Sequence, residues 1–471
     1  MPADLRRAGD ARGRTWLYAE ALAAAARLRH REARFSRLPH RGLALRMGRF
    51  AAGRRPAGTD LDGQFAGDPR PRIALCRCPD QRRPWLAGNG RIVSDTAFTA
   101  RIGMGVNAFD AAQWDALGGA DNPFMSHAFL SAMEDSGSVG PGTGWQSAPI
   151  VIESDSGLPL AAMPAYLKGH SQGEYVFDHN WADAYQRAGG DYYPKLQIAA
   201  PFTPATGPRL LLADDALGLP LLKAAEQLCA QNALSGAHAT FIDPGQLPIF
   251  EEAGWLPRSD IQFHWENRDY GSFDDFLADL ASRKRRALRK ERTKAQAEVE
   301  IRHLTGAEIT EAEWDAFWVF YQDTGARKWG TPYLTREAFS LLGERMADKL
   351  LLIFAYRDGE PIAGALNVIG RDALYGRYWG CTQHIPFLHF ELCYYQAIDA
   401  AIERGLQRVE AGAQGGHKLA RGYAPVQTWS AHWIADPGFR EAVAEFLERE
   451  RRGVEIDQNY LDRRTPFRKG G

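Results

Sequence analysis

YGRYWGCTQHIPFLHFELCYYQAIDAAIERGLQRVEAGAQGGHKLARGY, Tyr375 to Tyr423, reads as one complete crossover unit. An aromatic strand, Leu374 to Gly380, leads into a turn. Pro386 stands where a helix takes its first residue, and the helix runs to Arg404 and stops before Gly405. A short strand, Arg408 to Ala411, follows, and then a glycine-rich loop carrying Gln414, His417, Lys418 and Arg421. Ligands of strand–helix–strand units gather at the strand ends, near the helix N-terminus.

The helix carries Leu388, Leu392, Tyr395 and Ile402 on one apolar stripe, with Glu391 on the same stripe and His389 at its edge. A carboxylate on an apolar face is paired, protonated or functional. Two readings stay open for Glu391: a border residue bound to a buried Tyr or Arg, or a member of a site.

Outward from this unit, residues 299–380 alternate strands and helices, with a hairpin turn at Asp358–Gly359. A single long helix is expected over Phe273–Gln296, bearing the run Arg283–Arg286 and Arg289–Arg292. That run suits either a solvated face or a contact with phosphates. Residues 98–265 show a similar order: a strand, two short helices, a strand pair around Asp155–Ser156–Gly157, then helix Pro220–Ser235 and further strands. Between them lies a second polar-aromatic cluster, Lys168 to Leu196, with His170, Glu174, Asp178, His179, Trp181 and Lys195. The expected organisation is an extension over 1–95, one unit over 96–265 and another over 266–471. Each unit runs strand, two helices, strand meander, helix, strand. No helix alternates strictly with each strand, which argues against a dinucleotide-binding fold.

Composition bounds the rest. Hydrophobic content of 45% sustains a sizeable core. Residues 1–95 hold 20 Arg, no Lys and 9 acids, a charge of +11, and the remainder carries −12. The extension has little periodicity and reads as largely disordered and dispensable; its Arg content suits nucleic acid, but coding bias or an over-long start gives the same composition. Five cysteines form neither a disulfide framework nor a zinc pattern, so a cytoplasmic setting and no metal are expected. No run approaches 18 apolar residues, and the N-terminus lacks a signal peptide's apolar segment.

The phrases NPFMSHAFLSAMEDSGSVG, HSQGEYVFDHNWADAY, PFTPATGPRLL, YGRYWGC, LHFELCYYQAI and EAGAQGGHKLARGY resemble the bacterial FemAB-like family of the GNAT superfamily, over residues 98–470. The resemblance implies an α/β (α+β) fold of two tandem GNAT-like domains with mixed, mostly antiparallel sheets. It also implies N-acyl transfer, with peptidoglycan-related substrates. Acetyl-CoA enzymes of this fold place a glycine-rich turn before the central helix, where backbone N–H groups hold pyrophosphate. Here that turn is Gln383–Leu388, without glycine and with Pro386 removing a donor. That turn weighs against acetyl-CoA and leaves room for aminoacyl-tRNA or another activated acyl donor; the expectation is acyl-CoA or aminoacyl-tRNA as donor, no bound cofactor, and tRNA as a candidate partner. Fem-like relatives keep an acid and a Lys after the following strand, and Glu410 and Lys418 match them.

The expected chemistry is acyl transfer with Glu391 or Glu410 as general base and His389 or His417 as the alternative. Arg377, Lys418 and Arg421 would hold an anionic group, with Tyr378, Tyr395 and Gln414 beside them. Tyr375 and Trp379 would line the channel. The cluster His170–Lys195 is expected to face the same cleft, the two sheets packing on each other. The rival reading is a non-catalytic module that binds muropeptides, stacking sugars on Tyr175, Trp181, Tyr185, Tyr192 and Tyr193. The acceptor is a small molecule or a peptidoglycan precursor; the oligomeric state is left open.

Overall fold

The computed structural model describes strand Arg72–Ala74 and residues 99–328, 332–412 and 416–468. Apart from that strand, the extension expected to be disordered lies outside the described residues, as does Gln414. The strand order is β1 (Arg72–Ala74), β2 (Thr99–Ile102), β3 (Trp145–Ser147), β4 (Ile150–Glu153), β5 (Pro159–Met163), β6 (Ala165–Lys168), β7 (Lys195–Ile198), β8 (Leu211–Leu212), β9 (Gly236–Ile242), β10 (Leu256–Glu266), β11 (Glu300–Thr305), β12 (Leu350–Arg357), β13 (Glu360–Ile369), β14 (Ala373–Cys381), β15 (Arg408–Glu410) and β16 (Ala424–Ile434). The fold is α/β, with mixed, mostly antiparallel sheets.

An eleven-stranded sheet runs β11-β12-β13-β14-β15-β10-β16-β9-β7-β6-β3, and a five-stranded sheet runs β1-β2-β4-β5-β8. In the large sheet the parallel pairs are β14–β15 and β7–β9, each joined through a helix, while its other neighbours are antiparallel. The expectation that two sheets pack face to face is corrected. β10 pairs with β15 and β16, and β16 pairs with β9, so the units join edge to edge through backbone hydrogen bonds. Strand β1 pairs with β2, so truncation at residue 95 would remove one strand that the sequence left unassigned.

β12 shows why the centre is buried on both faces. Leu350, Leu352 and Phe354 join one core and Leu351, Ile353 and Ala355 the other, the period-two alternation of a covered strand. The first core also takes Phe124, Phe129, Met133, Phe339 and Leu342, so helices His127–Asp135 and Arg336–Met346 pack together.

The hairpin at Asp358–Gly359 forms as expected, with φ of 53° and 84° and Arg357 opposite Glu360. Two expectations change. The helix over Phe273–Gln296 is two helices, Phe273–Asp279 and Ser282–Gln296. Leu280 between them is extended and buried, bridging Phe467. The central helix begins at Leu388, not Pro386, because Phe387 adopts a left-handed φ of 70°.

Gly380 on β14 lies against helix Glu311–Lys328: an added Cβ would sit 2.0 Å from the Phe320 carbonyl oxygen. Gly380→Ala must push strand and helix apart, at a cost of about 1–3 kcal/mol. The expected outcome is a thermal midpoint several degrees below the parent; an unchanged midpoint would show that this contact is loose.

Candidate functional site

β14 and β15 pair over Ala373–Tyr375 and Arg408–Glu410 and then part, β14 running on to Cys381 while the chain beyond Glu410 turns away. The parting opens a cavity of about 290 Å³. Its wall includes Gly376–Trp379 of β14, Asn367 of β13, and Ala411 and Gly412 beyond β15. His389, Cys393 and Tyr394 come from the helix, and His417 and Lys418 from the turn Gly416–Arg421. Tyr175, Pro204, Tyr321, Thr324 and Tyr333 close the remaining sides.

Two backbone irregularities aim these side chains. The β13–β14 register slips between Leu366 and Asn367: Leu366 faces Tyr378 and Asn367 faces Gly376, which leaves Arg377 as the extra residue. A bulge turns adjacent side chains toward one region, and Arg377 and Tyr378 both reach the cavity. The second irregularity is in the helix, where Glu391–Tyr395 winds as a π turn between α-helical flanks. Tyr175 and Phe202, with φ of 60° and 54°, add left-handed backbone of the kind that recurs at binding sites.

Arg377 donates to the Phe202 carbonyl and to Thr203 Oγ1, the latter at 3.3 Å, tying β14 to the first unit. Burial pushes the Tyr175 hydroxyl above its ordinary value, partly offset by the Arg377 guanidinium against it. Lys418 is buried and donates to the Gly412 carbonyl at 2.7 Å. Desolvation lowers its amine to about 8. The Tyr394 hydroxyl and His417 Nε2 are 2.9 Å apart. The His389 ring lies 5.2 Å from that of Trp379 and 5.5 Å from that of Tyr394.

Of the expected site residues, Arg377, Tyr378, His389, His417 and Lys418 line the cavity together. Glu391 and Glu410 do not, and among the described residues no carboxylate does. Glu391 accepts from Arg292 Nε at 3.2 Å and from Gln296 and Gln396 at 2.7 Å each. Residues 391 and 396 are five apart, the repeat of the π turn, so this carboxylate braces that turn against the basic helix. Glu410 is buried and bonds Arg408 Nε at 3.0 Å. Tyr395 points to Glu291, its hydroxyl 2.5 Å from Oε2, and Arg421 bonds the same carboxylate at 3.0 Å while covering the Phe390 ring. All four sit behind the cavity wall. The structure therefore places both glutamates outside the cavity, each beside an arginine.

The second cluster meets the cavity only through Tyr175, which corrects the expectation of one shared cleft. Lys195 Nζ donates to Ser171 at 2.9 Å, to Glu174 at 2.7 Å and to Asp178. Lys168 lies 3.8 Å from Glu174 and over the Trp145 ring. Desolvation pushes Glu174 up to about 7 and Lys168 down to about 6, while Asp178 and Glu174 hold Lys195 above its ordinary value despite its burial. His170 bonds the Thr143 carbonyl at 3.0 Å. Trp181 is buried edge-on to His432, and Tyr192 is buried with its hydroxyl on Asp178. Lys195, Glu174, Asp178, Tyr192 and Trp181 thus form a buried network, while Tyr175, Tyr185 and Tyr193 are half-buried. His179 is exposed beside Phe177, outside the cavity.

A family profile described as FemAB-like, peptidoglycan biosynthesis/recognition, matches residues 105–469. The chain belongs to the FemAB-like family. No curated protein matches its sequence. Solved structures of low identity are also similar to it. FemX matches at TM-score 0.46 and 11% identity, covering 71% of this chain and 98% of that one. L-PGS from Bacillus licheniformis matches at 0.42 and 10%, covering 72% and 96%. A tandem GNAT protein from the clavulanic acid biosynthesis pathway matches at 0.37 and 14%, covering 69% and 94%. Among the described residues of this FemAB-like chain no cluster suits a metal ion, and no helix is long and apolar enough to cross a membrane.

Reading the sequence missed Asn367, Thr324, Tyr321, Tyr333, Cys393 and Tyr394. Asn367 had a signal: it is the polar residue inside the apolar run Ile362–Ile369. Cys393 and Tyr394 had none, because a 3.6-residue period mis-phases a π turn.

The ion network predicts two contrasting substitutions. Lys195→Met leaves Asp178 and Glu174 buried without their cation, and unfolding should become easier by about 3–5 kcal/mol. Lys168 binds a proton in the unfolded chain up to its ordinary value but releases it in the fold at about 6. Parent stability should therefore climb from pH 7 toward 9, and Lys168→Met should flatten that climb by up to about 1.4 kcal/mol per pH unit. Denaturant titrations at pH 7, 8 and 9 read both effects; parallel pH curves for parent and Lys168→Met would mean the amine is charged in the fold.

Proposed function

We propose that this chain is an N-acyltransferase, moving an acyl or aminoacyl group onto an amine, with peptidoglycan precursors as its acceptor class and the cytoplasm as its setting. The observation that carries this reading is the cavity at the parting of β14 and β15, where Lys418 and His417 meet Arg377 and Tyr378. Acyl transfer needs a group to take a proton from the amine and a donor for the oxygen that becomes negative in the transition state. His417, oriented by Tyr394, supplies the first. Lys418 supplies the second: one ammonium hydrogen is spent on Gly412, and the others remain for the oxyanion. Arg377, backed by the phenols of Tyr175 and Tyr378, grips an anionic part of the ligand.

Support for the donor comes from the turn before the helix. Phe387 and Pro386 occupy positions where a pyrophosphate loop needs glycine and backbone N–H groups, which weighs against a donor held as acetyl-CoA usually is. The helix Ser282–Gln296 turns Arg292 inward to Glu391 and leaves Arg283, Lys284, Arg286 and Lys290 exposed. That exposed face, opposite the side packed on the crossover helix, fits aminoacyl-tRNA as the donor.

The lysine gives the test. Supplying the chain with acyl-CoA esters and charged tRNA, and amine acceptors including muropeptides, should yield a mass-shifted amide. Lys418→Met should lower kcat by about 10²-fold or more. Because the amine is protonated only below about 8, the parent rate should fall as pH rises through that value. Lys418→Arg, charged throughout, should keep part of the rate and lose the fall. No amide with any donor sinks the transferase reading; full activity in Lys418→Met removes the lysine from it.

A further inference from the structure

Cys393 stands inside the cavity, on the π turn, four residues after His389 and next to Tyr394. Its thiol lies within electrostatic reach of the Lys418 amine. His389 and His417 share the same wall, their rings 6.4 Å apart. A thiol beside imidazoles and a lysine has the surroundings that favour its anion, the reactive form of cysteine. By contrast Cys229 is wholly buried, and burial pushes its thiol well up.

Two further features of the space beside Cys393 suit a ligand. Asn367 is 1% exposed and lines the cavity, yet its Oδ1 accepts no hydrogen bond among the described residues. Thr324 Oγ1, on another wall, is likewise buried without a partner. A buried amide oxygen left unpaired costs about 1–3 kcal/mol, and an N–H group of a ligand is what would satisfy it. The second feature is size: about 290 Å³, at the small end of ligand cavities of roughly 300–1,000 Å³, suits one small acyl group with its amine.

We propose that Cys393 is a nucleophile that carries the acyl group between donor and acceptor. The inference rests on the acyltransfer reading of the same cavity. In the first half-reaction His389 or His417 takes the thiol proton and Sγ attacks the acyl carbonyl carbon. The bond from that carbon to the donor's oxygen or sulfur breaks, and the leaving group departs with the proton from the imidazolium. A thioester on Cys393 remains. In the second half-reaction the acceptor amine attacks the thioester, the carbon–sulfur bond breaks, and the amine proton passes through the imidazole back to the thiolate. No oxidant or further reactant enters. Lys418 faces the oxyanion in both steps. Donor and acceptor then enter one after the other.

The probe is p-nitrophenyl acetate with the full-length chain. The expected result is a burst of one p-nitrophenolate per chain, an acetyl group mapped to Cys393 by peptide mass spectrometry, and its release by neutral hydroxylamine. Cys393→Ala should lose the burst by at least 10-fold with an unchanged circular dichroism spectrum. Cys381→Ala, on β14 and outside the cavity wall, should keep it. Cys393→Ser guards against a packing effect: it fills the site but should form only a slowly turning ester. No burst in the parent, an adduct mapped elsewhere, or a burst surviving in Cys393→Ala each overturns the proposal. Failure of the two readings separates cleanly. Amide formation from a donor at the parental rate in Cys393→Ala keeps the transferase and removes the relay. An acetyl-Cys393 that no amine discharges keeps the nucleophile and removes the transferase.

Discussion

β14 is asked to do two incompatible things. Along one edge it bonds β13 almost to its end, and along the other it bonds β15 for three residues and then loses its partner. A parallel strand pair with a helix crossover sets the first constraint, since the chain must leave β14, climb through the helix and return beside it. The release after Tyr375 follows because β15 ends at Glu410 and the chain turns at Gly412, with a φ of 78°. Backbone groups left unpaired there must be served by a ligand, water or side chains, and Lys418 already serves the Gly412 carbonyl. The cavity, the bulge at Arg377 and the π turn all border this one parting.

The same constraint explains the division of labour among the charged residues. Where the crossover helix meets helix Ser282–Gln296, carboxylates and cations are packed away from water and neutralise one another: Glu391 with Arg292, and Glu291 with Arg421. In the first unit Lys195 does so for Glu174 and Asp178. These pairs hold the wall rigid, and rigidity is what a cavity with fixed donors requires. In the cavity itself the cations Arg377 and Lys418 have no carboxylate partner among the described residues, and its other polar groups are imidazoles, phenols, the Thr324 hydroxyl, the Cys393 thiol and one amide. Such a lining carries net positive charge while Lys418 is protonated.

Much of the fold was legible. The crossover unit from Leu374 to Ala411, the hairpin at Asp358–Gly359 and the repeated order of elements follow from periodicity and from Gly and Pro placement, which act locally. Lys418, His417, His389, Arg377 and Tyr378 were also legible, because polar residues concentrated at strand ends and loops of a crossover unit have few other places to go. Local rules failed where Leu280 was needed elsewhere. Its pairing with Phe467, 187 positions along the chain, broke what reads as one helix.

The sequence by itself determined which residues are apolar every second or every third to fourth position, hence which segments are strands and helices and which family the chain resembles. It also determined that Glu391 needs a partner. Only the tertiary structure decided what that partner is, because Arg292 lies 99 residues away and reaches Glu391 by helix packing. It alone decided that β10 and β16 join the two units into one sheet, since either edge pairing satisfies the same backbone groups. And it alone turned Cys393 and Tyr394 toward the cavity while burying Glu391 and Tyr395. One extra residue in a helical turn rotates every side chain after it by about 100°, and no pattern of apolar residues records that rotation.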